Sequence, residues 1–248
     1  MEPIVLLEFR SDHIAHLMLC DRASKNMFSR ALIEELTNKL AEVARHPEVR
    51  CVVVSGLERH FCCGGSRSEL LELIEGNYTF AVGHFYRALL DCPIPTIAAM
   101  AGHALGGGLV FGLYADIVIL AEESIYSANF MRYGFTPGVG ATCLLPHRLG
   151  PALAHEMLLT ANGFHGEELR RRGVPFQVVK RDRVLQQALT IAADLASKPV
   201  TSLKLLKATM TQALRDELPR AVSRELEMHE ITFKLPEVRA RVELEFGY

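Results

Sequence analysis

The sequence lacks an excess of charge of either sign: 27 basic side chains stand against 29 acidic ones, a formal net charge of −2. That balance gives no electrostatic footprint for nucleic acid, and no basic run marks a membrane surface. No apolar stretch reaches about 18 residues without a charge or a glycine, which argues against a membrane-spanning helix. The opening residues, Met1-Glu2-Pro3-Ile4-Val5, carry an acid where a secretory signal carries bases, and no cleavage site follows. A cytoplasmic protein is expected. Cysteines 20, 51, 62, 63, 92 and 143 form no Cys-x-x-Cys pair and fit no zinc spacing, so buried reduced thiols are expected and no metal site. A phosphate loop of the Gly-x4-Gly-Lys-Ser/Thr type is absent, and Gly106-Gly107-Gly108 lacks the spacing of a dinucleotide fingerprint. No cofactor is implied.

What is present is an ordinary globular composition, 49% hydrophobic and 23% charged over 248 residues, enough to bury a sizeable core. Alternation around Ile4, Leu6, Ile14, His16 and Met18 predicts two strands joined at Arg10–His13. Ser29 is placed to cap a helix whose apolar positions Leu32, Ile33, Leu36, Leu40 and Val43 follow helical spacing to His46-Pro47. Cys51–Val54 is a short apolar run that suits a buried parallel strand, followed by Phe61-Cys62-Cys63-Gly64-Gly65-Ser66 and a helix. The same grammar returns after a helix over Phe80–Leu90: strand Thr96–Met100, then Gly102-His103-Ala104-Leu105-Gly106-Gly107-Gly108, then a helix from Leu109. Repeated strand, glycine turn and helix argue for an α/β fold with handed crossovers. From Pro151 onward helices dominate, with a stripe at Leu185, Ala188, Ile191, Ala192 and Leu195, and separate helices over Val200–Leu214 and Leu218–Phe233. We expect a core over residues 1–194 and a helical oligomerisation region over 195–248.

The two glycine turns lie 42 residues apart, at Gly65 and Gly107. Each leads from an apolar strand into a helix, whose first N–H groups have no partner within the helix. Side by side, one N–H from each turn can converge on a developing oxyanion. The bland reading is that the glycines merely permit tight strand–helix packing.

These turns, with Tyr114-Ala115-Asp116-Ile117-Val118 and Gly134-Phe135-Thr136-Pro137-Gly138-Val139-Gly140, resemble the enoyl-CoA hydratase/isomerase (crotonase) superfamily. The resemblance spans nearly the whole chain. It implies a spiral of ββα units, a C-terminal helical trimerisation region, thioester substrates, and an oxyanion hole formed by the N–H groups of Gly65 and Gly107. A homotrimer or a dimer of trimers is expected, with no nucleic acid or membrane partner. Hydratases of the family place one Glu three residues after the second oxyanion glycine and another seven before the proline of the later loop. Here those positions hold Val110 and Phe130. Neither moves a proton or orients water, so general acid–base hydration loses both carboxylates.

An oxyanion hole in an apolar pocket suits decarboxylation, where the enolate needs only stabilisation and a proton. Asp91-Cys92-Pro93-Ile94-Pro95, Tyr133-Gly134-Phe135-Thr136-Pro137, Arg172-Gly173-Val174-Pro175-Phe176 and Glu225-Leu226-Glu227-Met228-His229-Glu230-Ile231-Thr232-Phe233 occur together. Together they resemble the second crotonase-like enzyme of polyketide β-branching cassettes. Such enzymes decarboxylate 3-methylglutaconyl-acyl carrier protein to 3-methylcrotonyl-acyl carrier protein. The resemblance makes His229 the active-site histidine, and the substrate a thioester on phosphopantetheine or CoA. It puts Arg22 and Lys25 where relatives meet the nucleotide or the phosphopantetheine arm. The Tyr/Lys pair of some members falls here on Glu69 and Leu73. That leaves Arg67, Tyr78, His84 and Arg87 as candidates for holding the leaving carboxylate. An enoyl isomerase using His229 or Glu69, and an inactive partner protein, are the alternatives.

Overall fold

Strand-forming runs and helical stripes alternate along the chain, and a computed structural model describing residues 3–77 and 84–246 sorts them into two sheets and a helical shell. An antiparallel pair, β1 (Val5–Phe9) and β2 (Ile14–Leu19), leads to α1 (Arg30–Arg45). Ser29 caps α1, its side chain accepting the Leu32 N–H at 3.1 Å, and His46 ends it. Three strand pairs follow. β3 (Cys51–Ser55) and β4 (His60–Cys62) precede α2 (Arg67–Ile74) and the short α3 (Ala88–Asp91). β5 (Thr96–Met100) and β6 (His103–Leu105) precede α4 (Gly107–Leu113). β7 (Ile117–Ala121) and β8 (Ile125–Ser127) precede α5 (Ala141–Leu149) and α6 (Pro151–Thr160). Then come β9 (Gly163–His165), α7 (Gly166–Arg171), β10 (Gln177–Val179), α8 (Val184–Ala196), α9 (Val200–Thr232) and α10 (Pro236–Glu245).

The first strand of each pair enters a sheet ordered β1-β2-β3-β5-β7-β10, and the second a sheet ordered β4-β6-β8-β9. Each pair therefore steps one strand along both sheets, which is the expected spiral of ββα units. The pairings β2–β3, β3–β5, β5–β7, β4–β6 and β6–β8 are all parallel. The larger sheet is apolar on both faces, as parallel sheets are. Leu17, Val52, Val54, Ala98 and Leu120 face the main core, while Val53, Ile97, Ala99 and Ile119 face α8.

The α8 stripe follows the expected one except at Leu185, with Ile191 and Leu195 partly buried against the same cluster. Val184, Ala188, Ala192 and Ala196 are buried, and Leu185 is turned out. Small side chains every fourth residue let the helix press close to the sheet, an advantage that a reading of bulk hydrophobicity misses. The tail also departs from expectation, because α9 is one helix of 33 residues that runs straight through Pro219. Proline deletes one hydrogen bond, but Leu214, Leu218 and Glu225 are buried on either side, so tertiary packing carries the helix across the gap. Lys207 ties α9 to the core from a nearly sealed position, with Nζ 2.7 Å from Asp116 and 2.9 Å from the Leu89 carbonyl. Breaking such a buried pair costs about 3–5 kcal/mol. Of the helix expected over Phe80–Leu90, residues 80–83 lie outside the described residues. The remainder is a 3-10 turn, Phe85–Arg87, followed by α3.

Candidate active site

The site begins where β4 and β6 end. They pair in parallel, with Cys62 opposite Ala104, so the glycine turns that follow start level with each other. A Cβ on Gly108 would lie 2.1 Å from the Cys62 carbonyl oxygen, so only glycine lets α4 seat against β4. Gly106 makes the preceding turn with φ +52°, a conformation L side chains rarely adopt. A Cβ on Gly64 would lie 3.2 Å from Gly107 N, which puts the two turns in van der Waals contact. Among the described residues, neither the Gly65 N–H nor the Gly107 N–H donates to a protein acceptor. Two free donors thus sit together in one wall.

That wall bounds a cavity of about 550 Å³. No carboxylate lines it among the described residues; its ionisable side chains include Lys25, His60, Arg67, His103, Arg132 and His229. One end is aromatic. Phe130, Tyr133, Phe135, Phe233 and Phe246 line it, with Phe135 stacked on both Tyr133 and Phe233. Elsewhere on the lining, His60 and His103 pack edge to face at 5.8 Å. Burial holds both imidazoles below their ordinary value, and neighbouring cations push the same way. His103 Nδ1 accepts the Ile125 N–H at 2.9 Å, so its contact is to the backbone of β8. The Cys63 thiol is pushed up to about 11 by burial and is not a ready nucleophile.

His229 enters from α9. Its Nε2 lies 2.9 Å from the Thr136 carbonyl oxygen; a carbonyl only accepts, so Nε2 carries the proton. Its ring rests on Phe233, one helical turn on, with centroids 4.8 Å apart. On the loop side it meets Gly138, where a Cβ would lie 2.6 Å from Cε1. Burial lowers the His229 pKa, against the upward pull of the Thr136 and Pro137 carbonyls. At neutral pH the ring is therefore uncharged, with Nδ1 left as acceptor.

The structure brings Gly65, Gly107, His229, Arg67 and Phe130 to the one cavity. Arg67 is already engaged there, donating to the Val242 carbonyl at 3.3 Å and the Glu243 carbonyl at 2.9 Å, on the last turn of α10. Four other sequence candidates lie off the lining. Val110 is sealed in the core of α4. Glu69 completes a capping box on α2, its carboxylate accepting the Ser66 N–H at 3.1 Å. Arg87 forms a two-pronged pair with Asp91 at 2.7 and 2.8 Å. His84 sits at a separate, smaller hollow with Thr37 and Leu40. Tyr78 lies outside the described residues. Sequence reasoning missed Asn129, Arg132 and, at the aromatic end, all but Phe130. Phe233 stood one turn beyond His229 on the same helix, a signal that was available.

Three comparisons bear on the chain as a whole. The family model described as enoyl-CoA hydratase/isomerase matches residues 10–244. The chain is 45% identical to the bacillaene synthase decarboxylase PksI of Bacillus subtilis (strain 168), covering 98% of both chains. A solved structure from a dehydratase/decarboxylase enzyme couple involved in polyketide β-branching superposes with TM-score 0.97 at 44% identity, over 99% of this chain and all of that one. The decarboxylase domain ECH2 of CurF from Lyngbya majuscula gives 0.94 at 37%, with the same coverage. With its spiral of strand pairs and its two adjacent glycine turns, this chain belongs to the enoyl-CoA hydratase/isomerase family.

Proposed function

We propose that this chain decarboxylates a 3-methylglutaconyl-type thioester carried on acyl carrier protein, giving a 3-methylcrotonyl-type thioester during polyketide β-branching. One observation carries the reading: Gly65 and Gly107, whose N–H groups have no acceptor among the described residues, line a cavity with no carboxylate among its described lining residues. Hydration needs acid–base carboxylates, and decarboxylation needs none. The thioester carbonyl oxygen sits between the Gly65 and Gly107 N–H groups. The bond to the carboxylate breaks, its electron pair passes through the alkene to that oxygen, and CO2 leaves. The two N–H groups hold the resulting dienolate. A proton then returns to carbon.

His229 is the group placed to manage that proton. Its resting form is neutral, but an anionic carboxylate arriving in a low-dielectric pocket favours the imidazolium. The ring takes up one proton as the acid binds and gives it to the dienolate once CO2 has gone. Gripping and delivery are then two moments of a single proton. The isomerase reading is weakened because Glu69, one of its two proton shuttles, is taken up in the α2 capping box and is not among the cavity's lining residues.

The test is incubation with a synthetic 3-methylglutaconyl pantetheine thioester, followed by mass. Loss of CO2 is expected, with negligible water addition to a crotonyl thioester. Unchanged mass with a shifted double bond would make the chain an isomerase, and robust hydration would mean the acid–base residues lie elsewhere.

The same reading makes the protein cytoplasmic and oligomeric, with residues 195–248 as the assembling region. No helix among the described residues is long and apolar enough to cross a membrane. Leu206 and Met210, one turn apart on α9, are 58% and 73% exposed, a face that one chain leaves uncovered. A trimeric or hexameric mass by light scattering at micromolar concentration is expected; a monomer refutes the assignment.

A further inference from the structure

The loop of residues 134–140 supplies both the Thr136 carbonyl that holds His229 and the Gly138 backbone that backs its ring. It runs into α5, and α5 has no cap of its own: its N-cap is Gly140, which has no side chain to offer. The donors at this helix start must be satisfied from elsewhere. They are satisfied by Glu225, on α9, four residues before His229. One carboxylate oxygen accepts the Gly140 N–H at 2.7 Å. The other accepts the Thr142 N–H at 2.8 Å and the Thr142 hydroxyl at 2.6 Å. Glu225 is 1% exposed, and both of its oxygens are spent on donors.

The same face of α9 makes two more attachments to this loop. His229 is one, and Thr232 is the other, its hydroxyl 3.4 Å from Thr136 N and 3.1 Å from the Thr136 hydroxyl. Positions 225, 229 and 232 follow helical spacing, so α9 laces the loop from Thr142 back to Thr136. On the far side the Tyr114 hydroxyl donates to the Val139 carbonyl at 2.9 Å. A carboxylate in an apolar core costs free energy unless its bonds are needed there. Here they fix the distance between the loop and the helix that bears His229.

We infer that Glu225 is a positioning residue for His229: by clamping residues 140–142 to α9 it holds the Thr136 carbonyl against Nε2 and so keeps the free nitrogen, Nδ1, for the substrate. Glu225 touches neither substrate nor reacting atoms. Its role in turnover rests on the decarboxylase reading above, but its role in setting the tautomer does not.

The test is Glu225→Gln, which is close in shape. An amide offers one acceptor oxygen, and its NH2 group must face either Gly140 N–H or the Thr142 donors, so one side of the clamp opens. With folding checked by circular dichroism, we expect kcat to fall about 10–100-fold while KM stays within about threefold, the scale of a small misplacement of a reacting group. In 15N-histidine-labelled protein without substrate, wild-type His229 should show the Nε2–H tautomer, and the variant a mixture of tautomers. An unchanged tautomer overturns the inference whatever the rate does, because the effect then does not run through His229. A changed tautomer in a chain whose wild type releases no CO2 upholds the positioning role and sinks the decarboxylase reading instead. Should Glu225→Gln fail to fold, Thr142→Val removes only the hydroxyl bond, and the same tautomer shift, smaller in extent, is expected. Its absence there also overturns the inference.

Discussion

A Gly107→Pro variant is expected to fold and to lose turnover by about 10²–10³-fold, the usual scale for removing one oxyanion donor. Gly107 is the first residue of α4, the position where proline is best tolerated because its missing N–H would have no helical partner. The ring nevertheless places carbon where the N–H pointed, into the cavity wall. The control is Gly107→Ala, which keeps the N–H. Its added methyl would meet the Phe28 ring at 3.6 Å, ordinary contact distance, and Gly107 has no positive φ to strain. Near-normal turnover is expected for alanine. Circular dichroism and steady-state CO2 release read the pair. A folded proline variant with normal turnover would rule out Gly107 as a donor, and an equal loss in both variants would mean that packing, not the N–H, was removed.

Parts of the fold that depend on local chemistry were legible from the residues alone. Ser29 had to cap something, and the stripe after it named α1. The buried strands β3 and β5 announced themselves as apolar runs between turns, because a strand buried on both faces has no polar side to show. Failures came where tertiary context decides. Nothing in the composition of α8 says that Leu185 turns out while Ala188, Ala192 and Ala196 are sealed against the sheet. Pro219 reads as a helix boundary until the buried residues on both sides of it are known.

The candidate site divided in the same way. The glycine turns were visible, but their adjacency depends on β4 pairing β6, which no single turn reveals. Counting positions from family landmarks reached Phe130, which lines the cavity, and also Val110, which lies in the core. Position along a chain does not report which side of a helix faces a ligand. Arg67, Arg87 and Glu69 looked equally available as charged residues near a turn, yet α10 carbonyls, Asp91 and the α2 N-terminus respectively engage them. Partners decide availability. The aromatic end joins residues 130–135 to 233 and 246, a distance along the chain that short-range pattern reading does not bridge.

His229→Ala is expected to lower kcat for the 3-methylglutaconyl thioester by about 10²-fold or more, within the range for a positioned general acid. The sign of the pH effect follows from burial. With the pKa of the free enzyme lowered, the imidazolium is scarce at pH 7, so kcat/KM should rise as pH falls toward the ordinary histidine value near 6.5. The alanine variant should lose that rise. A saturated probe, the 3-methylglutaryl pantetheine thioester, has the carboxylate but no alkene to accept electrons, so it binds without reacting. Titrating it calorimetrically in buffers of different ionisation enthalpy should show net proton uptake near pH 7 in wild type and none in His229→Ala. Uptake with weakened probe binding identifies gripping of the acid. Normal probe binding with altered alkene position in the product identifies delivery to carbon alone. Both together fit one proton used twice, which the cavity favours because no carboxylate among its described lining residues competes for that proton. A variant equal to wild type in rate, affinity and product would leave His229 as a packing residue on α9, held by Thr136 for the sake of the loop.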